Sequence, residues 1–420
     1  MENKIQLIKA KDILDSRGNP AIEVELITDS PSGEKSFLAS VPSGASTGKN
    51  EAVELRDEDG RGVTRVIQNI NEIIAPKIIG KDPTNQKEID EFLINLDGTE
   101  NKSRLGANAI LAVSIAVCRA GAGAENLPLY KYINKSLNLK SQNLKLKIPF
   151  PMFNILNGGA HIRSLGLKNH LDIQEFMIVP QKKSFAENLE LAKTITNNLK
   201  EILTKQFGES FVIGDEGGYA PAISKTREAL NFLKEAIGEN NSIKIALDCA
   251  ASEFFNNEKY LLENKEFSKE ELLNFYKDLV SKFEIISLED PFSEENWEGF
   301  AKIKKELSEI IIVGDDLTTT NIKRIKEAQE KKACNAVIIK PNQIGTVTEA
   351  IAAAILAKSY NWKIIVSHRS GETMDDFISD FAVGISADFI KAGAYTKPER
   401  MVKYDRLLEI EKELRSGNSF

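Results

Sequence analysis

Between residues 21 and 27 apolar and charged positions alternate. Ile22, Val24 and Leu26 fall on one face and Glu23 and Glu25 on the other, which is the pattern of a half-buried strand. Turn residues bracket it. Asp15-Ser16-Arg17-Gly18-Asn19-Pro20 precedes it, and Pro31-Ser32-Gly33-Glu34 follows and leads into a second apolar stretch at 35–41, so an antiparallel meander is predicted. Helical periodicity then runs over 62–79, 84–96 and 106–121, the second stretch opened by Asp82-Pro83-Thr84. Residues 136–147 are polar and aperiodic. They read as a linker between an N-terminal α+β domain, 1–135, and a second domain, 148–420.

Beyond the linker the pattern changes to short apolar runs, each ending on a polar or charged residue: 176–179, 211–216, 243–248, 285–289, 310–315, 336–340, 364–368 and 389–391. Helical stretches at 268–282, 295–307, 321–331 and 345–358 separate several of them, so parallel strands joined by helices are expected. From Glu289 onward the run ends recur about every 25 residues, the beat of a β/α barrel whose polar strand ends meet at one open face. The fold class is therefore α/β, a C-terminal barrel beside the smaller α+β domain. A doubly wound sheet is the rival, but no Gly-x-Gly-x-x-Gly follows any of these runs.

Composition narrows the function classes. With 420 residues, 42% apolar and 28% charged, the chain has ample material for a folded core. Lys and Arg number 55 against 62 Asp and Glu, a net charge of −7, so no broad positive surface is expected to hold nucleic acid. An anionic substrate must meet a local cluster of cations. No apolar run is expected to reach the roughly 18 residues of a membrane span, since the best, 109–118, contains Ser114 and stops at Arg119. Lys4, Lys9 and Lys11 interrupt the N-terminal aliphatics, so no secretory core is expected there. Cys118, Cys249 and Cys334 are odd in number and lack metal-type spacing, as expected of reduced thiols in the cytoplasm.

The chemistry concentrates at the strand ends. Asp248, Glu289 and Asp315 close neighbouring runs and could share one divalent ion. Their hard oxygens favour Mg²⁺ or Mn²⁺ over Zn²⁺, the more so because the histidines number only three, His161, His170 and His368. Asp290 and Asp316 follow two of these acids, and strand alternation would point them away. Lys340 and Lys391 end two further runs. Neighbouring cations and burial would depress Lys340 toward the range of a base, although a strand-end Lys also serves Schiff-base aldolases or simply snorkels to the rim. Arg369 and Ser370 follow another run, in the order that would place a phosphate between the lysines. Ser43-Gly44-Ala45-Ser46-Thr47-Gly48-Lys49-Asn50 is too short between glycines for a nucleotide loop and reads as a flexible linker or a mobile lid that offers hydroxyls to a metal. Gly214-Asp215-Glu216-Gly217-Gly218 and Asn157-Gly158-Gly159-Ala160-His161 offer a carboxylate and an imidazole on open loops, or are plain turns.

Together the segments resemble the enolase family nearly end to end. The likeness rests on Asp15 to Pro20, Val41-Pro42 with the Ser43 to Gly48 loop, Gly106-Ala107-Asn108-Ala109-Ile110 and Gly214 to Gly218. It continues through Leu247-Asp248-Cys249-Ala250, Leu288-Glu289-Asp290-Pro291-Phe292, Gly314-Asp315-Asp316-Leu317, Lys340-Pro341-Asn342-Gln343-Ile344-Gly345 and Ser367-His368-Arg369-Ser370-Gly371-Glu372-Thr373. The resemblance implies a TIM-like barrel with a ββαα start and the reversible dehydration of 2-phosphoglycerate to phosphoenolpyruvate in glycolysis and gluconeogenesis. It implies two Mg²⁺ per site, the first on Asp248, Glu289 and Asp315 and the second near Ser46. Lys340 would be the base and Glu216 the acid, kept protonated near neutral pH and supported by Glu175. Arg369 and Ser370 would hold the phosphate, Lys391 the carboxylate, with His161, Gln174 and His368 also at the substrate.

The resemblance further implies a homo-oligomer, dimer or octamer, with Arg17 near the subunit contact. Members also associate with RNA-degrading assemblies or with cell-surface plasminogen, which allows a secondary surface or secreted fraction. Departures from the family pattern are the segment 162–168 after His161, about five residues longer than usual, Pro341 after the base, and Met374 in place of an acid. The rivals are a superfamily relative that dehydrates acid sugars, a metal-independent Schiff-base aldolase, and an enolase-like binding protein without catalysis. The Arg369-Ser370 pair and the Ser46 loop argue against the first, and chelation by its loss of activity would dismiss the second.

Overall fold

The computed structural model describes residues 3–29, 33–44, 48–136, 145–163, 166, 170–209 and 211–416. Ser46 and most of the 136–147 linker lie outside the described residues. The chain opens with strands β1 (Lys4–Leu14), β2 (Pro20–Asp29) and β3 (Lys35–Val41), paired antiparallel in that order as the alternation predicts. Ile22, Val24 and Leu26 are all buried on one face. Helix Ala107–Ala124 packs on β2 and β3. Gly123 allows the close approach, since a Cβ there would sit 2.5 Å from the Phe37 ring.

That helix corrects one expectation. It is long and apolar enough to cross a membrane by length and composition, yet 83% of it is buried within the fold, so it is the core helix of this part.

The rest of the chain closes into a barrel. Strand β4 (Phe150–Asn157) is followed by β5 (Glu175–Pro180), a short hairpin of β6 (Val212–Ile213) and β7 (Tyr219–Ala220), and then β8 (Ile243–Asp248). A small three-stranded sheet, β9 (Phe255–Asn256), β10 (Lys259–Leu262) and β11 (Lys265–Phe267), precedes β12 (Ile285–Glu289), β13 (Ile311–Gly314), β14 (Ala336–Ile339), β15 (Lys363–Ser367) and β16 (Phe389–Lys391). The barrel order is β4-β5-β8-β12-β13-β14-β15-β16, and β16 pairs back onto β4. β5 is antiparallel to both its neighbours, and the other pairings around the barrel are parallel. Helices Phe185–Phe207 and Thr226–Ile237 come between β5 and β8, so the ββαα start is present. Outer helices begin where local chemistry caps them: Ser184 with Glu187, and Ser268 with Glu271, form reciprocal capping boxes.

Two expectations differ in this region. Residues 211–216 are no barrel strand: two-residue β6 turns through Gly214, Gly217 and Gly218 into β7. The strand that takes its place is β4, where Pro151 and Asn154 broke the apolar run and hid the signal.

The N-terminal part is tied to the barrel by buried polar contacts. Arg119 Nη1 and Nη2 donate to Asp375 Oδ2 and Oδ1 at 2.6 and 2.9 Å, and Asp375 Oδ2 also accepts from the Ser40 amide at 3.0 Å. Burial would raise the Asp375 carboxyl, but the Arg119 charge and these hydrogen bonds outweigh it and hold the group below its ordinary value. Arg119→Ala is expected to cost about 3–5 kcal/mol of stability near neutral pH, because it strands a buried carboxylate. The stabilisation is present above the ordinary carboxylate value and is lost as pH falls through the lower folded value. Urea midpoints of parent and variant should therefore converge in acid.

Candidate active site

The period-two alternation of the barrel strands delivers the polar strand ends to one place. On β14, Ala336 and Ile338 point into the barrel, whereas Val337 and Ile339 face the helices, so Lys340 falls on the inward phase. The same count puts Asp248 in phase with Ala246, Asp315 with Val313, Ser367 with Ile365 and Lys391 with Phe389. β5 runs the other way. Its first residue, Glu175, is inward with Met177 and Val179 and pairs across from Asp248, so a strand start joins a ring of strand ends. His161, Gln174, Glu175, Glu216, Asp248, Asp315, Lys340, His368, Arg369, Ser370 and Lys391 all line one pocket at this mouth.

Contacts divide the pocket into three neighbourhoods. Lys391 Nζ lies 3.0 Å from Asp248 Oδ2, 2.9 Å from Glu289 Oε1 and 3.1 Å from Glu175 Oε2. Lys340 Nζ contacts Asp315 Oδ2, whose other oxygen accepts from Gln343 Nε2 at 2.8 Å. Glu216 is held by Asn154 Nδ2 at 2.9 Å and lies 3.5 Å from His161 Nε2 and 3.2 Å from His368 Nε2. Arg400, fully buried, donates to His368 Nδ1 and to the Arg369 carbonyl, each at 2.7 Å. An arginine can only donate, so His368 Nδ1 is the acceptor and Nε2 carries the hydrogen that faces Glu216.

Direct contacts bias the charge of the two expected catalytic groups. Burial opposes a charged Lys340, but the Asp315 carboxylate in contact prevails and raises the amine above its ordinary value. Burial likewise opposes an ionised Glu216, yet His161, His368 and Arg400 hold it well below the usual carboxylate range. Burial, followed by the Glu216 charge, pushes Glu175 well up, so a proton shared by this pair is drawn to Glu175. Burial drives His368 down to about 4 and lowers His161.

Comparison with known proteins now bears on this geometry. The family model described as "Enolase, N-terminal domain" matches residues 5–133, and that described as "Enolase, C-terminal TIM barrel domain" matches residues 145–420. The chain belongs to the enolase family. It is 47% identical over 420 residues to the curated protein named Enolase from Methanocaldococcus jannaschii, covering 98% of this chain and 96% of that one. It is 48% identical over 430 residues to the Enolase of Thermococcus gammatolerans, covering 99% and 96%. Membership makes it a lyase of the phosphopyruvate hydratase type.

Enolase chemistry involves a divalent metal, and the residues at this mouth fit one. Burial and neighbouring carboxylates push Glu289, Asp290 and Asp316 well above their ordinary values, so the mouth is short of positive charge. Carboxylates of Glu175, Glu216, Asp248, Asp290, Asp315 and Asp316 line it and supply the charged oxygen donors that suit a hard ion. The structure nevertheless distributes the three predicted ligands, Asp248 and Glu289 on Lys391 and Asp315 on Lys340. Among the described residues the compact donor groups are His161 with Glu175 and Glu216, and Asp290 with Asp315 and Asp316.

Asp290 and Asp316 also line the enolase pocket, against the alternation argument. Asp290 lies just beyond β12 with φ +39°, which breaks the period. Asp316 is in the turn after β13, where no alternation applies. Pro341, a departure from the family pattern, stands at the first position of the short helix Pro341–Ile344, where a missing N–H costs nothing. Met374 is exposed. Arg17, expected near a subunit contact, turns its guanidinium to Ser43 Oγ at 2.8 Å and Ser370 Oγ at 3.4 Å. Residues missed by sequence reasoning are Asn154, on the unrecognised β4, and Arg400, on helix Pro398–Arg415, whose buried charges carry no apolar signature. Much of the extended loop after His161 lies outside the described residues.

Proposed function

We propose that the chain reversibly dehydrates 2-phosphoglycerate to phosphoenolpyruvate, with Lys340 removing the α-proton and the Glu216–Glu175 pair returning a proton to the departing hydroxide. The observation that carries this reading is the placement of the two groups in one pocket. Lys340 stands at the end of β14 and Glu216 is held by Asn154 of β4, three strands away around the barrel, so base and acid address a small substrate from different sides. Arg369 and Ser370, on the loop after β15, lie between them in strand order and suit a phosphate. Lys391 meets the substrate carboxylate, and Gln174, His161 and His368 close the polar wall.

Mg²⁺ held by Asp248, Glu289 and Asp315, with a second ion toward Ser46, would supply positive charge where the enolate charge develops. The reading includes a homo-oligomer. A cytoplasmic setting is supported by three buried, unbridged cysteines. Ultraviolet absorbance of the enol product tests the whole. Formation from 2-phosphoglycerate with Mg²⁺, its loss in chelator and its return on adding Mg²⁺ are expected. Turnover of acid sugars alone, or activity that persists in chelator, would exclude the reading.

A further inference from the structure

Arg369 lines both the active-site pocket and a second cavity of about 260 Å³, which Glu51 and Asn342 also line. Glu51 follows the Ser43–Asn50 loop, and no role attaches to it from the sequence. Its Oε2 accepts from Arg369 Nη1 at 2.7 Å, and its Oε1 lies 3.4 Å from Nη2. Both side chains are buried, 8% and 4% exposed. Glu51 is itself anchored, since Oε1 accepts from the Gly48 amide at 3.0 Å and from Gln343 Nε2 at 3.5 Å.

The backbone of Arg369 is held separately. Its amide donates to Glu372 Oε1 at 3.1 Å and its carbonyl accepts from Arg400. The barrel therefore sets where Arg369 stands, while Glu51 from the N-terminal part sets where the guanidinium points. A guanidinium buried without Glu51 would be drawn to another acid, and Asp315, at the heart of the mouth, already acts on it. We propose that Glu51 is a positioning residue that keeps the Arg369 guanidinium directed at the substrate phosphate and away from the carboxylates of the mouth. An arginine ordered before the ligand arrives leaves less freedom to be lost on binding. The proposal rests on Arg369 as the phosphate-holding residue.

Inorganic phosphate, used as a competitive inhibitor of the parent enzyme, Glu51→Gln and Glu51→Asp, tests it alongside KM and kcat with 2-phosphoglycerate. Glu51→Gln is expected to weaken phosphate inhibition and raise KM by about tenfold to a hundredfold, with a much smaller change in kcat. Glu51→Asp should recover part of the loss because it keeps the charge. In an Arg369→Ala background Glu51→Gln should add nothing, which a general packing defect would not reproduce. Phosphate inhibition in Glu51→Gln as strong as in the parent, or a full penalty persisting without Arg369, overturns the proposal. A folding failure in Glu51→Gln leaves Glu51→Asp to decide: parent-like KM and phosphate inhibition there overturn it, and a raised KM with weakened phosphate inhibition supports it. A parent enzyme that turns over 2-phosphoglycerate but ignores phosphate removes the Arg369 premise, whereas one that does not turn it over removes the functional reading itself.

Discussion

Lys340→Ala is expected to lower turnover of 2-phosphoglycerate by at least about 10²–10⁴-fold and to stop exchange of the substrate α-proton with solvent. The side chain leaves the inward phase of β14 at the mouth and has no structural duty deeper in the barrel, where Ala336 and Ile338 do the packing. The fold should therefore survive. What disappears is the amine that lines the pocket and contacts Asp315. Exchange measured by proton NMR in deuterated solvent isolates the first step from the second. Parent-like exchange in Lys340→Ala would remove the base assignment.

Glu216→Gln is expected to give the complementary result, with exchange retained and formation of the enol product lowered by a similar factor. Glutamine can keep an oxygen for Asn154 Nδ2, and His161 and His368 remain beside it, so the loop should hold its place. The change removes the ionisable group and with it the pair that shares a proton with Glu175. A variant that loses exchange and elimination together would mean that Glu216 acts on the first step, and the division of labour would fail. The two variants are informative as a pair because one should lose exchange and elimination together and the other elimination alone.

Much of this site was legible from spacing. Runs ending at Asp248, Glu289, Asp315, Lys340 and Lys391 are barrel strands whose ends converge, because a parallel strand that closes on an inward residue has one mouth to open into. Glu175 was not legible in that way, since it begins an antiparallel strand and a rule about strand ends overlooks it. The alternation rule also failed at Asp290, where a left-handed backbone ends the regular strand. The charge state was not legible for another reason. Sequence order brings cations and carboxylates to the mouth without saying which acid touches Lys340, and the contact with Asp315 decides the direction. Arg400 and Glu51 act through single contacts across long stretches of chain, which no periodic pattern records.

The proposed reaction depends on a divalent ion held by Asp248, Glu289 and Asp315. Crystals grown with Mn²⁺ and phosphoenolpyruvate and measured at the manganese absorption edge test it most directly. Anomalous density bounded by oxygens of all three acids, with Lys391 drawn off Asp248 and Glu289 toward the ligand carboxylate, is the expected result. Density confined to the Asp290, Asp315 and Asp316 group, or to His161, Glu175 and Glu216, would contradict it.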